Sequence, residues 1–274
     1  MKLWHEACPV GQVTRAVWED LRGWPICLLA VWLAAMLTLP ITNWFWGERA
    51  IYVHISISVL IQACLSTALL AREQPILRTA LTVAVVFVLS WALEAVGSAT
   101  GIPFGRYHYT DHLQPQVAHV PLLISLAWMM MLPPSWAIGW RLGGRRYGVA
   151  SILVSGLAIT AWDLFLDPQM TQWKLWVWDQ PGLYFGIPLV NFFGWFLGGA
   201  LITAAARPKA VPDRPLLVVY TLTWVLETVG LAVFWGLPGS ALCGFVGMGL
   251  LVVLAWRSRD NGESGFAEKI KTAE

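Results

Sequence analysis

Leu77 to Tyr109 reads LRTALTVAVVFVLSWALEAVGSATGIPFGRYHY. The run to Gly97 is apolar over about 20 residues, which at ~1.5 Å per residue crosses a hydrocarbon core about 30 Å thick. Near its end it carries a carboxyl, Glu94, and it then breaks into a Gly- and Pro-containing stretch, Gly101 to Gly105, followed by a polar aromatic loop. Gly101, Pro103 and Gly105 favour a tight turn. A charged side chain at membrane depth is costly, so Glu94 marks a functional site by default, and the question is what surrounds it.

Working outward, eight apolar runs of this kind are present: roughly Gly23–Thr42, Ala50–Leu70, Leu77–Gly97, Val117–Trp140, Tyr147–Leu166, Gly186–Ala206, Pro215–Trp235 and Gly239–Trp256. With 57% hydrophobic and 12% charged residues in 274, the chain falls in the membrane class. The fold class expected is all-α: a polytopic transmembrane helix bundle forming one domain over residues 1–256. The first 22 residues are expected to be cytoplasmic, and 257–274 to be a polar cytoplasmic tail. All but three of the 18 basic residues fall on the side that holds both termini; the exceptions are Arg49, Arg106 and Lys174. The positive-inside rule therefore places both termini in the cytoplasm and the chain in the cell's inner membrane as a multi-pass protein. A net charge of +2, with the basic residues dispersed over short loops, excludes nucleic acid as a partner. Cys27, Cys64 and Cys243 lie inside apolar runs and read as small packing residues; Cys8 lies near the start, and no CxxC spacing occurs.

Two long loops, Ser98 to Gln116 and Asp167 to Phe185, fall on the outer side, and each starts beside an intramembrane acid. Loops of this length tend to be functional. Ser90-Trp-Ala-Leu-Glu-Ala-Val-Gly97 and Thr223-Trp-Val-Leu-Glu-Thr-Val-Gly230 share Trp, Leu, Glu, Val and Gly at identical offsets, consistent with a parallel four-plus-four repeat. The echo brings in a second glutamate, Glu227.

Glu94, Asp163, Asp167 and Glu227 are thus four acids in or at the ends of apolar runs. By rise per residue Glu94 lies near the outer end of the third run, Asp163 about one turn inside the fifth, and Glu227 near mid-depth in the seventh. The competing reading is structural, with the acids pairing with Arg106 or Lys174. Buried carboxyls can stay protonated and donate protons. Among 18 tryptophans, interfacial belts account for a good share, whereas Trp91, Trp162 and Trp224 lie beside the acids, where aromatic walls suit a long apolar ligand and π faces stabilise a cation. His108, His112 and His119 suggest a metal, but loop hydrogen bonding outweighs that reading, and His54 reads as a satisfied core histidine. No metal and no cofactor is expected.

The chain resembles the CruF-type carotenoid hydratases, integral membrane proteins of carotenoid biosynthesis that include the bisanhydrobacterioruberin hydratases. The resemblance rests on Glu94-x-x-Gly97, Thr100-Gly-Ile-Pro-Phe-Gly-Arg-Tyr-His-Tyr109, Val120-Pro121, Trp162-Asp163, Asp167-Pro168, the Trp173 to Trp178 cluster, Gly186-Ile-Pro-Leu-Val-Asn191 and Gly194-Trp195. It implies a carotenoid substrate and cofactor-independent addition of water across the C1–C2 double bond of an acyclic end (lycopene, γ-carotene or bisanhydrobacterioruberin type), giving a tertiary alcohol. It also implies other carotenoid biosynthesis enzymes as partners. Residue chemistry then suggests Glu94 as the acid and Asp163 as the carboxylate that orients water, with Glu227 an alternate in either role. Tyr107, Tyr109 and Asn191 serve as polar supports, and Arg106 holds Asp163 or Asp167 ionised. A transporter or binding protein for an isoprenoid or lipid is the alternative from another class; a cyclase or prenyltransferase is a third.

Overall fold

The computed structural model describes residues 21, 23–144 and 146–258. The expected cytoplasmic segment 1–22 (with Cys8) and tail 257–274 lie outside these residues, apart from Leu21, Arg257 and Ser258. Among the described residues, eight helices are long and apolar enough to cross a membrane, and the protein is a multi-pass membrane protein. They are α1 (Trp24–Trp46), α2 (Glu48–Glu73), α3 (Ile76–Thr100), α4 (Leu122–Leu142), α5 (Val149–Gln172), α6 (Leu189–Ala206), α7 (Asp213–Val229) and α8 (Pro238–Arg257). A π turn, Gly230–Phe234, continues α7.

The bundle is built around α4, which packs on α2, α3, α5 and α7. A helix apolar on all sides belongs in the interior, and α4 is buried along nearly its whole length. It contains Pro133 and Pro134, which leave the carbonyls four residues earlier without their helical N–H donors. The Ser66 hydroxyl of α2 donates to one of these, Met130 C=O, at 2.8 Å, restoring a bond that lipid could not supply. At the helix end remote from the long loops, Arg141 donates from Nε to Asp213 at 2.7 Å and lies 5.5 Å from the Trp256 ring, tying α4 to α7 and α8.

α1 packs chiefly on α2. His54 of α2 bonds both the Thr42 hydroxyl and the Ala35 carbonyl of α1, at 2.7 and 2.8 Å, so it is the satisfied histidine its setting suggested. The lipid-facing surface carries exposed residues such as Val31, Ile57, Leu60 and Leu250. Cys27, Cys64 and Cys243 are exposed there too, which corrects their reading as packing residues: an apolar run in a membrane has an outer face as well as an inner one.

The two long loops lie at one end of the bundle and are joined to each other. Strand β1 (Tyr107–Tyr109) pairs antiparallel with β4 (Trp176–Trp178), Tyr107 opposite Trp178 and Tyr109 opposite Trp176. A shorter ladder, β2 (Gln116–Val117) with β3 (Val120–Pro121), leads into α4.

Helix α5 runs past its expected end. Asp167 and Pro168 lie inside it rather than opening the loop. Pro168 has no N–H for the Leu164 carbonyl, and the Tyr184 hydroxyl donates to that carbonyl at 2.9 Å. This bond lets the helix continue to Gln172 and pins the following loop against it. Asp163 consequently lies about 13 Å, not one turn, from the helix end at ~1.5 Å per residue.

Candidate functional site

Beneath the ladder lies a cavity of about 200 Å³ lined by residues of α1 to α7 and of both long loops. Glu94, Asp167 and Glu227 all line it, with Tyr107, Tyr109, Asn191 and Trp162. At ~1.5 Å per residue Glu94 lies about 9 Å from the loop-side end of α3, Asp167 and Asp163 about 8 and 13 Å from that of α5, and Glu227 about 10 Å from the end of the π turn that continues α7.

Glu94 is buried in α3 and accepts three hydrogen bonds. The Tyr107 and Tyr109 hydroxyls donate to Oε2 at 2.5 and 2.8 Å, and Trp128 Nε1 of α4 donates to Oε1 at 3.1 Å. Three converging donors suit a carboxylate, which only accepts. The alternation of the β strand aims both tyrosines inward, leaving His108 between them facing out to Asp179 at 3.4 Å. Burial first, and then the charge of Glu94, push the phenols of Tyr107 and Tyr109 well above their ordinary 10.0, so both remain O–H donors.

Asp167 and Asp163 form a second acidic group, one turn apart on α5. The Asn191 side-chain amide donates to Asp163 Oδ2 at 2.8 Å and to Asp167 Oδ2 by a shorter bond; its two N–H groups serve the two carboxyls. Trp176 Nε1 donates to the other Asp167 oxygen at 3.0 Å. Asp163 is fully buried behind this group and is not part of the cavity wall; its Oδ1 has no hydrogen-bond partner among the described residues. Asp167 is therefore the aspartate that meets the cavity. Glu227 faces the cavity from α7, one turn beyond Thr223, whose hydroxyl receives Gln62 Nε2 at 3.4 Å.

Aliphatic side chains make most of the remaining wall, and aromatic rings, among them Phe104, Trp178 and Trp195, stand beside the acids. Trp195 stacks on Trp128, with centroids 4.4 Å apart and planes within 6°, and meets Trp162 edge-on at 5.9 Å. Phe104 is clamped between α3 and α6: a Cβ built on Gly97 or on Gly194 would lie 2.6 or 2.5 Å from its ring. Both glycines are required by this close approach. Phe104 in turn meets Tyr107 edge-on at 6.2 Å, so the clamp buttresses a donor to Glu94.

Other sequence candidates lie elsewhere. Arg106 is exposed, and the bonds to Asp163 and Asp167 come from Asn191 and Trp176 instead. Trp91 donates to the Val117 carbonyl at 3.1 Å, and Trp224 to the Phe245 carbonyl at 2.9 Å; both stand outside the cavity. His112 stacks on Tyr52 at 4.6 Å. Trp128 and Gln62 carried no signal in the sequence, being ordinary residues of apolar runs, whereas Phe104 and Thr223 lay in quoted stretches but were given no role.

Residues 51–248 match the model of a family described as carotenoid biosynthesis protein. The bisanhydrobacterioruberin hydratase of Haloarcula japonica is 26% identical over 186 residues, which are 64% of this chain and 63% of that protein. The chain thus spans a little under two thirds of that relative's length. No solved structure matches. All four acids fall within the family match.

Proposed function

Since the chain belongs to the carotenoid biosynthesis protein family, we propose that it is a hydratase, adding water to the C1–C2 double bond of an acyclic carotenoid end such as that of lycopene. The supporting observation is one largely apolar cavity in which a triply hydrogen-bonded Glu94 shares the wall with Asp167, itself joined to Asp163 through Asn191. The relative from Haloarcula japonica is named a hydratase, which is the same chemistry.

Hydration of a trisubstituted alkene needs a proton at C2, stabilisation of the tertiary cation at C1, and a base for the incoming water. Two carboxyls bridged by one amide hold a proton between them, as paired aspartates do elsewhere. Asp167, at the wall, delivers this proton to C2 as the π electrons form the C2–H bond; Asp163 stands behind it as the partner. Trp195 and Trp178 line the cavity and offer π faces to the C1 cation. Water attacks C1, and its surplus proton passes to the Glu94 carboxylate, which Tyr107, Tyr109 and Trp128 hold in place. Return of that proton to the aspartate pair through water resets the site. Relative to the sequence expectation, this moves the acid from Glu94 to Asp167 and the water-orienting carboxylate from Asp163 to Glu94. Glu227 remains a polar contact in the apolar part of the cavity. The proposal places the protein in the cell's inner membrane with the acids toward the outer side, alongside other enzymes of the pathway.

The test is expression in a host that makes lycopene or γ-carotene, followed by chromatography and mass analysis of pigments. A gain of one water per reacted end is expected; unchanged pigment opposes the reading.

A further inference from the structure

The cavity does not end at the acids. Its wall includes Met36, Leu37, Leu39 and Pro40 of α1 and Val229 and Phe234 at the end of α7. Three of these, Leu37, Val229 and Phe234, are also exposed on the bundle's outer surface, at 64%, 47% and 42%. Residues that line a cavity and face lipid at once mark its mouth. The mouth lies at a seam between α1, which packs chiefly on α2, and the π turn, where the Trp235 N–H reaches back five residues to the Gly230 carbonyl at 3.1 Å. Such turns widen a helix locally and recur at functional sites. An edge-to-face contact of Trp44 on Phe234, centroids 6.1 Å apart, bridges the seam.

We infer that the seam between α1 and the π turn is a lateral binding mouth for one long apolar chain: the substrate enters end-first from the hydrocarbon, its tip reaches the acids, and the rest of the chain stays between Leu37 and Val229 and in the lipid. This rests on the proposed hydratase reading for the identity of the chain. The chemistry of the wall favours this occupant. The lips are aliphatic and aromatic, the polar groups are set back inside the cavity, and a polyene emerging here remains in hydrocarbon along its length. The site then recognises an end rather than a whole molecule, and tolerates different far ends.

The test uses the full-length protein in lipid nanodiscs with lycopene as the probe, read by the visible circular dichroism that an achiral polyene acquires when held in a chiral site. Leu37→Trp and Val229→Trp narrow the mouth from opposite lips; Leu250→Trp, at an exposed site on α8, is the control. The expected result is an induced signal in the wild type, affinity about tenfold weaker (~1.4 kcal/mol) in each lip variant, and no change in the control. Wild-type affinity in both lip variants, equal loss in the control, or no induced signal in the wild type would overturn the mouth. The hydratase reading fails separately: lip-sensitive binding without water-bearing product sinks that reading alone, whereas wild-type product formation by both lip variants sinks the mouth alone.

Discussion

Tyr109 and Trp176 face each other across the β1–β4 ladder, and each donates a hydrogen bond to a different buried carboxyl: Tyr109 to Glu94 at 2.8 Å and Trp176 to Asp167 at 3.0 Å. Their rings meet edge-on at 5.9 Å. One rung of backbone pairing thus sets the spacing of the two carboxyls. Tyr109→Phe and Trp176→Phe should each lower turnover, and the double variant should differ from the product of the two effects, because contacting residues couple by roughly 0.5–3 kcal/mol. A double-mutant cycle on hydration rate measures this; strict additivity would separate the two sides of the site.

Glu94→Gln keeps the shape of the side chain and removes the base. Turnover should fall by roughly 10²–10⁴, with the protein still inserted in the membrane at normal abundance. Trp128→Phe removes one of three donors to the same carboxyl and should cost less, about 1.5–3 kcal/mol in transition-state stabilisation for a bond to a charged group. Initial rates with lycopene rank the two; equal rates for Glu94→Gln and wild type would remove Glu94 from the reaction.

Gly97→Ala and Gly194→Ala place a methyl against the two sides of Phe104. Overpacking of this kind costs about 1–3 kcal/mol. Displacement of Phe104 should reach Tyr107, so both melting temperature and hydration rate should fall. Phe104→Leu in the Gly194→Ala background should recover part of the melting temperature by yielding space.

The phenols of Tyr107 and Tyr109 are raised by burial and by Glu94. For an acid raised on folding, the stabilising O–H form is fully present below the ordinary value near 10 and is lost only as pH climbs through the higher folded value. Ultraviolet titration should therefore show no phenolate from these two residues at pH 10.0, their ordinary value. Subtracting the curves of Tyr107→Phe and Tyr109→Phe isolates their contribution, and a step at that pH would contradict their burial against Glu94.

The eight-helix bundle was legible because long apolar runs leave few alternatives in lipid. Glu94 and Glu227 stood out for the same reason, and both line the cavity. The place of Asp167 was not legible. A residue before proline is biased toward extended backbone, so Asp167-Pro168 reads as a helix end; the compensating donor, Tyr184, lies 20 residues beyond the carbonyl it serves, in the loop that follows the helix, where no local pattern marks it. Pairing of the two loops was also hidden. Tyr-His-Tyr and Trp-Val-Trp do alternate as strands should, but three residues cannot outweigh the neighbouring glycine and proline turn signals. Trp162 and Asp163 show the limit of adjacency: the tryptophan lines the cavity and the aspartate beside it lies behind the wall.

The most direct measurement is incubation of the purified protein with lycopene in water enriched in heavy oxygen, with Asp167→Asn run beside it. The wild type should give a tertiary alcohol carrying one heavy oxygen per hydrated end, and Asp167→Asn a product yield lower by orders of magnitude. Lycopene recovered unchanged from the wild type, or a hydroxylated product whose oxygen comes from dissolved dioxygen instead of water, would contradict the hydratase reading.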